Sequence, residues 1–187
     1  MSRRTACSAC AGQDLELFLD LGLSPIADAY TDTADTHVSK LPLQVALCAK
    51  CKLAQLLEVV DQETLFGTGY SFYSSASPPL SDYHRRYADD LLIRYGQLAA
   101  RGVLEIGCND GDMLRHFSQF PHVGVDPAIG PVDIARDRGL DVIQEAFSFE
   151  LARSLQPASL IIANHVLAHV ADVQDVIAGI AHLLTSD

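Results

Sequence analysis

The sequence predicts an α/β protein in two parts. A small, cysteine-stapled β domain occupies residues 1–77, a linker helix residues 78–100, and a parallel sheet with helices on both faces residues 101–187. Three observations lead there. Four cysteines stand as two Cys-x-x-Cys pairs within short strands and turns that bury little apolar surface unaided. A glycine-, tyrosine- and serine-rich passage ends at Pro78-Pro79, which marks a boundary. From Arg101 onward, short apolar runs alternate with helical patterns, as in a parallel sheet.

In the first part, strands are expected at Leu15 to Leu19, Leu43 to Cys48 and Leu53 to Val60, with an aperiodic polar stretch from Thr31 to Lys40. Ser81 is the expected cap of the linker helix, whose apolar face is Tyr83, Tyr87, Leu91, Tyr95 and Leu98. The second part reads as strands at Val103 to Ile106, His122 to Val125, Leu140 to Ile143 and Ser159 to Ala163. Its helices are expected at Asp110 to Phe120, Pro131 to Arg138, Phe147 to Leu155 and Val170 to Leu184. Pro131 suits a first helical position and Gly139 a helix end. Four strand–helix units are few for a doubly wound enzyme, so the Rossmann-like part is expected to be incomplete.

Composition narrows the function classes. Of 187 residues, 49% are hydrophobic, which suits a folded chain, and the net charge of -11 disfavours nucleic acid as a partner. No apolar run approaches the roughly 18 residues of a membrane span. Asp14, Glu16 and Asp20 interrupt any signal-peptide core. The expected location is therefore cytoplasmic, with no membrane partner and with thiols kept reduced.

Cys7, Cys10, Cys48 and Cys51 point to metal. Each pair can form a tight knuckle, and two knuckles give Zn2+ four thiolates in a tetrahedron with no open position, a structural site. A redox dithiol would need an adjacent βαβ unit, which neither pair has.

The turn Glu105-Ile-Gly107-Cys-Asn109-Asp-Gly111 follows the first strand of the sheet. Gly107 permits a tight turn and Gly111 a close helix approach. Asn109 stands where dinucleotide enzymes carry a second glycine, and Glu105 would repel a pyrophosphate. An acid there suits a cation such as the ammonium of S-adenosylmethionine (SAM). Asp126, 21 residues after Glu105, can accept both ribose hydroxyls of an adenosine. Ala146 and Phe147 follow the third strand, where an adenine would rest, and Asn164 ends the fourth. Cys108 reads as a small buried residue.

These residues resemble a known family, the zinc-containing, SAM-dependent C-methyltransferases of deoxysugar biosynthesis. The stretches that carry the resemblance are Cys7-x-x-Cys10, Leu21-Gly-Leu-Ser-Pro-Ile-Ala-Asp28, Cys48-x-x-Cys51, Gly69-Tyr-Ser-Phe-Tyr-Ser-Ser-Ala-Ser77, Glu105-Ile-Gly-Cys-Asn-Asp-Gly111 and Ala163-Asn-His-Val-Leu-Ala-His-Val170. The resemblance implies a nucleotide-linked keto-deoxysugar as substrate, deprotonated at carbon 3 beside a carbonyl, whose enolate attacks the SAM methyl. It places Tyr70, Tyr73 and His169 on the substrate side, while loop packing of the tyrosines stays open beside that role. His165 reads as a surface residue at a helix start. The family's catalytic Glu-His pair follows the fourth strand–helix unit and has no counterpart before residue 187, so binding of SAM without turnover is the expectation for this chain. Two other readings remain: a non-catalytic zinc- and SAM-binding module, and an NAD-dependent oxidoreductase.

Overall fold

The computed structural model describes residues 1–27, 30–33, 35–67 and 69–184. Asp28, the last residue of one motif above, lies outside them. The chain divides into two compact units, one of residues 1–65 with Ala171–Gln174, the other of Phe66–Val170 and the residues from Asp175 on.

The first unit is built on antiparallel pairs. β1 (Ser2–Arg3) pairs with β5 (Glu58–Val59). β2 (Leu15–Pro25), β3 (Lys40–Cys48) and β4 (Ala54–Leu56) form a sheet with β3 in the centre. The single strand expected over Leu53 to Val60 is split, because β4 pairs with β3 whereas β5 pairs with β1. The chain crosses from one sheet to the other at Leu57, which is buried and donates its N–H to the carbonyl of Gln44 (3.0 Å). Among the described residues of this unit, the only buried apolar side chains are Cys7, Ala46, Cys48 and Leu57. So thin a core makes the cysteine cluster the main fastening of the unit.

The first long element of the second unit is α2 (Pro78–Ala99), which α1 (Gln62–Phe66), at the division between the units, and a 3-10 turn at Ser74–Ala76 precede. The helix begins three residues before the cap expected at Ser81. Ser77 is extended there, and the prolines occupy the first positions, where an N–H has no helical partner to lose. The buried side chains of α2 are His84, Ala88, Leu91 and Ala99. The tyrosine stripe is therefore not the packing face: Tyr83 and Tyr95 are 52% and 44% exposed, and Tyr83 stacks on Tyr87 at 5.9 Å between centroids. The buried face lies about one position further along than the sequence suggested, because His84 has a buried carboxylate partner, described below.

The sheet strands are β6 (Val103–Ile106), β7 (His122–Asp126), β8 (Val142–Gln144) and β9 (Leu160–Ile162), all parallel in the order β8-β7-β6-β9. Side chains alternate between its faces. Leu104, Ile106 and Val125 join a core with Leu151 and Ala152 of α4 (Phe149–Ala152) and Val176 and Leu183 of α5 (Val173–Leu183). On the other face, Val103 and Ile162 meet Ala88, Leu91 and Ala99 of α2, while Val142 meets Val132 and Ala135 of α3 (Ile129–Asp137). Both faces are covered, as a parallel sheet requires. This is the α/β, Rossmann-like architecture, and the strand order reverses between β6 and β9.

Two elements depart from expectation. The helix expected over Asp110 to Phe120 is only a 3-10 turn, Leu114–Phe117. Asn109 and Gly111 hold φ of 50° and 75°, left-handed values that an α-helix cannot include. β8 starts at Val142 instead of Leu140, because Leu140 closes α3. Its N–H bonds the carbonyl of Ala135 (3.2 Å) and that of Gly139 bonds Arg136 (2.8 Å), a Schellman motif. Pro131 is the third residue of α3.

Because Leu91 carries the α2 interface and Tyr83 does not, Leu91→Ala is expected to lower unfolding free energy by about 2–4 kcal/mol and Tyr83→Ala by less than about 1 kcal/mol. Urea unfolding of the two variants checks this, and comparable losses would return the stripe to the core.

Candidate functional site

The metal cluster comes first along the chain. The Sγ atoms of Cys7, Cys10, Cys48 and Cys51 all lie within 4.8 Å of one another, with Cys7 to Cys51 at 3.5 Å and Cys10 to Cys48 at 3.7 Å. A tetrahedron with Zn–S bonds of about 2.3 Å has edges of about 3.8 Å, so the four sulfurs fit the ion. The two knuckles share one hydrogen-bond pattern. Cys7 N–H bonds Gly12 carbonyl (2.8 Å) and Ala11 N–H bonds Cys7 carbonyl (2.9 Å). Cys48 N–H bonds Leu53 carbonyl (2.9 Å) and Lys52 N–H bonds Cys48 carbonyl (2.9 Å). Ala11 and Lys52, which follow the second cysteine of each pair, both take positive φ, 56° and 65°.

Burial opposes ionisation of Cys7, but the N–H groups of Cys10 and Ala9 overcome it and bring the thiol down to about 6. At Cys51 the Leu53 N–H favours the thiolate, but the sulfurs of Cys10 and Cys7 outweigh it and push the thiol up to about 12. Four thiolates at this spacing need a cation among them. Removing bound zinc with a strong chelator is expected to unfold residues 1–65 while the second unit keeps its amide spectrum, since such binding is coupled to folding. A heteronuclear NMR spectrum left unchanged by chelation would rule this out.

The second cluster surrounds the turn after β6. Gly107 has φ of 71°, and a Cβ there would stand 2.5 Å from Cγ2 of Val166, which sits on the turn from the β9–α5 connection. A Cβ on Gly111 would meet Leu140 at 2.3 Å and Ala135 at 3.2 Å, so this glycine admits the end of α3. Backbone N–H groups of Gly107 (2.7 Å) and Cys108 (3.3 Å) share the Val125 carbonyl, which joins the turn to β7.

Glu105 is 4% exposed and its Oε2 has no hydrogen-bond partner. Burial first, then the carboxylates of Asp126 and Asp112, hold its carboxyl well above the ordinary glutamate value. Asp126 is also raised, by burial, against the pull of two N–H groups: Oδ2 accepts from Asn109 (2.8 Å) and Oδ1 from Ala128 (2.9 Å). Burial first, then Glu105, Asp126 and Asp110, drive the Cys108 thiol far up, which favours the neutral thiol.

The other assigned residues divide. The Asn109 side chain is fully engaged by the preceding loop: Oδ1 accepts from Ser74 N–H (2.8 Å) and Nδ2 donates to Phe72 carbonyl (3.1 Å). Only its backbone is left to face a ligand. Phe147 is buried in the core, its ring within 2.9 Å of where a Cβ of Gly179 would stand, so the ring is not free to lie against an adenine. Asn164 follows β9 with a buried, unpartnered Nδ2. Tyr70 and His169 are brought together through Phe66, whose ring centroid is 5.4 Å from Tyr70 and 6.5 Å from His169. Tyr73 is elsewhere, its hydroxyl 2.5 Å from where a Cβ of Gly130 would stand, on the first turn of α3. His165 is exposed with φ of 55° and precedes no helix directly.

Sequence reasoning missed the residues that hold this turn. Asp112 is wholly buried; its Oδ2 meets His84 Nδ1 (2.9 Å) and its Oδ1 meets Arg115 (2.8 Å). Asp110, also wholly buried, binds Ser75 and Arg138. The available signal was polarity itself. Asn-Asp-Gly-Asp in a turn flanked by core strands must find partners when it is buried.

Residues 80–187 match a family described as "Methyltransferase domain", and residues 7–66 match one described as "Putative zinc binding domain". The C-methyltransferase NovU of Streptomyces niveus is 31% identical over 189 residues, covering 97% of this chain and 45% of that relative. The chain thus spans less than half the length of this curated relative. Among solved structures, DesVI of Streptomyces venezuelae aligns with a TM-score of 0.45 at 16% identity, over 62% of this chain and 55% of that one. Magnesium protoporphyrin IX methyltransferase (ChlM) of Synechocystis PCC 6803, with bound SAM, aligns with a TM-score of 0.45 at 18% identity, over 65% and 64%. The match over residues 80–187 takes in the whole parallel sheet with its turn and more than half of the chain, and by it the chain belongs to the methyltransferase domain family.

Proposed function

We infer that the chain binds SAM at the carboxyl ends of β6, β7, β8 and β9, and that it serves a C-methyltransferase acting on a nucleotide-linked keto-deoxysugar. The observation that carries the first part is Glu105, a buried carboxylate with an unpartnered oxygen, crowded by Asp126 and Asp112. A cationic ligand satisfies that oxygen and relieves the crowding. SAM carries both an ammonium and a sulfonium. The dinucleotide reading lacks support here, since a pyrophosphate needs a helix N-terminus and the turn leads only into a four-residue 3-10 turn.

Each Asp126 oxygen accepts one N–H and keeps a second lone pair, enough for the two ribose hydroxyls. The backbone of Ala146 and Phe147 would meet the adenine. Gly107, Asn109 and Gly111 would present backbone to the methionine part. On the substrate side we assign Tyr70 and His169; Tyr73, set apart against the first turn of α3, we place toward the Asp126 end of the cofactor. When bound, SAM would supply the methyl group to the enolate carbon formed as a general base takes the proton beside the sugar's carbonyl, with S-adenosylhomocysteine (SAH) as the other product. The substrate class rests on the sequence resemblance and on the likeness to NovU.

Calorimetric titration with SAM, with NAD as control, tests the cofactor. SAM binding in the micromolar range (about -8 kcal/mol) without NAD binding is expected, and NAD binding in preference to SAM would overturn the assignment. Incubation of the chain with SAM and keto-deoxysugar nucleotides tests methyl transfer and separates an enzyme from a non-catalytic module.

The raised carboxyl of Glu105 has a definite linkage. The folded chain holds a proton there that the unfolded chain releases, so this group's contribution to stability is fullest below the ordinary glutamate value and falls as pH rises through the raised one. Glu105→Gln is expected to flatten the loss of melting temperature as pH rises above the ordinary glutamate value and to weaken SAM binding about tenfold. A variant that binds SAM as the parent does would remove Glu105 from the site.

A further inference from the structure

The passage between α1 and α2 carries Tyr70 and Tyr73, and it is fastened at Ser74 and Ser75. Besides the Asn109 contacts, Ser75 donates its N–H to Asp110 Oδ2 (3.2 Å) and its hydroxyl to the same oxygen. That hydroxyl also accepts from Nη2 of Arg138 (2.8 Å), while Nη1 of Arg138 donates to the Asp110 carbonyl (2.6 Å) and stands 3.6 Å from its Oδ2. Three separate segments meet here: the loop, the glycine turn, and Arg138 at the C-cap of α3.

The chemistry of the junction is selective. Asp110 is wholly buried, and an ionised carboxylate there requires a cation and donors. Arg138 is the cation. Ser75 donates to one and accepts from the other through one oxygen, which a hydroxyl can do and a methyl cannot. Two residues before Ser75, Tyr73 lays its hydroxyl on Gly130, beside Ala128, whose N–H binds Asp126.

We propose that Ser75, Asp110 and Arg138 form a positioning clasp that sets Tyr73 over the Asp126 end of the cofactor cleft. Arg138 and Ser75 touch no reacting atom; they act through Tyr73 and through the strap it belongs to. The inference rests on the SAM reading above and adds to it a determinant on α3 and on the loop. The clasp fixes the strap whether or not cofactor is bound, so its loss appears as a displaced Tyr73 and as weaker cofactor binding.

The test uses the whole chain labelled with 3-fluorotyrosine, the six tyrosine signals being assigned by single Tyr→Phe changes, and SAH as the titrant. In Ser75→Ala and Arg138→Met, the Tyr73 fluorine signal is expected to move to a solvent-exposed position, and SAH affinity to fall about tenfold. Arg138→Met, which leaves Asp110 without its cation, is also expected to lower the melting temperature, Ser75→Ala less so, and Ser75→Thr should restore both readouts. An unmoved Tyr73 signal in both variants overturns the clasp. A displaced signal with unchanged SAH affinity overturns its bearing on the cofactor. Failure of the parent chain to bind SAH overturns the SAM reading, and the positioning role with it, whereas the fluorine signals report on the clasp independently.

Discussion

The second unit is organised by the need to find partners for the buried polar side chains of one turn. Asn109, Asp110 and Asp112 lie within four residues and are at most 8% exposed. A buried acid without a partner is costly, so each recruits a different neighbour. Asn109 takes the loop at Phe72 and Ser74, Asp110 takes Ser75 and Arg138, and Asp112 takes His84 and Arg115. The turn is thereby tied to the strap before α2, to the end of α3 and to α2 itself. These side chains do structural work, and the ligand-facing part of the turn is left to backbone and to Glu105.

This division explains what could and could not be read from the sequence. β6 and β7 were legible to within a residue, because Val103–Ile106 and His122–Asp126 are apolar runs with breakers on both sides. The four cysteine ligands were legible from spacing alone. The helix after the turn was not, because its periodicity is real but left-handed Asn109 and Gly111 prevent the backbone from using it. The face of α2 was misread for a related reason. Tyrosines look like core residues in a pattern count, and a histidine does not. Yet His84 is buried at 9% exposure, because Asp112 is there to receive it. Phe147 was assigned by its position after β8, which says where its backbone lies and not where its ring points; Gly179 on α5 leaves a space the ring fills.

The first unit solves its problem with other chemistry. Its longest strand, β2, exposes Leu17, Phe18, Leu19, Leu21 and Leu23, and its interior holds few apolar side chains. Hydrophobic burial cannot be the main source of order in such a unit. The two knuckles are built alike, with the same i to i+5 hydrogen bond and a left-handed residue after the second cysteine. Each brings two sulfurs to one point by local geometry, which leaves only one long-range event, the meeting of the knuckles. A metal joins them directly, where a core would need many side chains to find their places.

Glu105, like Asp110, keeps a buried oxygen with no hydrogen-bond partner, but unlike Asp110 and Asp112 it is paired with no arginine among the described residues. Asp110 and Asp112 are neutralised by arginines at 3.6 and 2.8 Å, and Asp126 is held by two N–H groups. The fold sets the Leu114 N–H against Glu105 but no cation, whereas Asp110 and Asp112 each have an arginine. It leaves the oxygen open, at the carboxyl end of a central strand, beside the point where the strand order reverses and ligands of open sheets bind. Burial and the neighbouring acids favour the protonated form of that carboxyl, and a cation placed beside it would favour the ionised one.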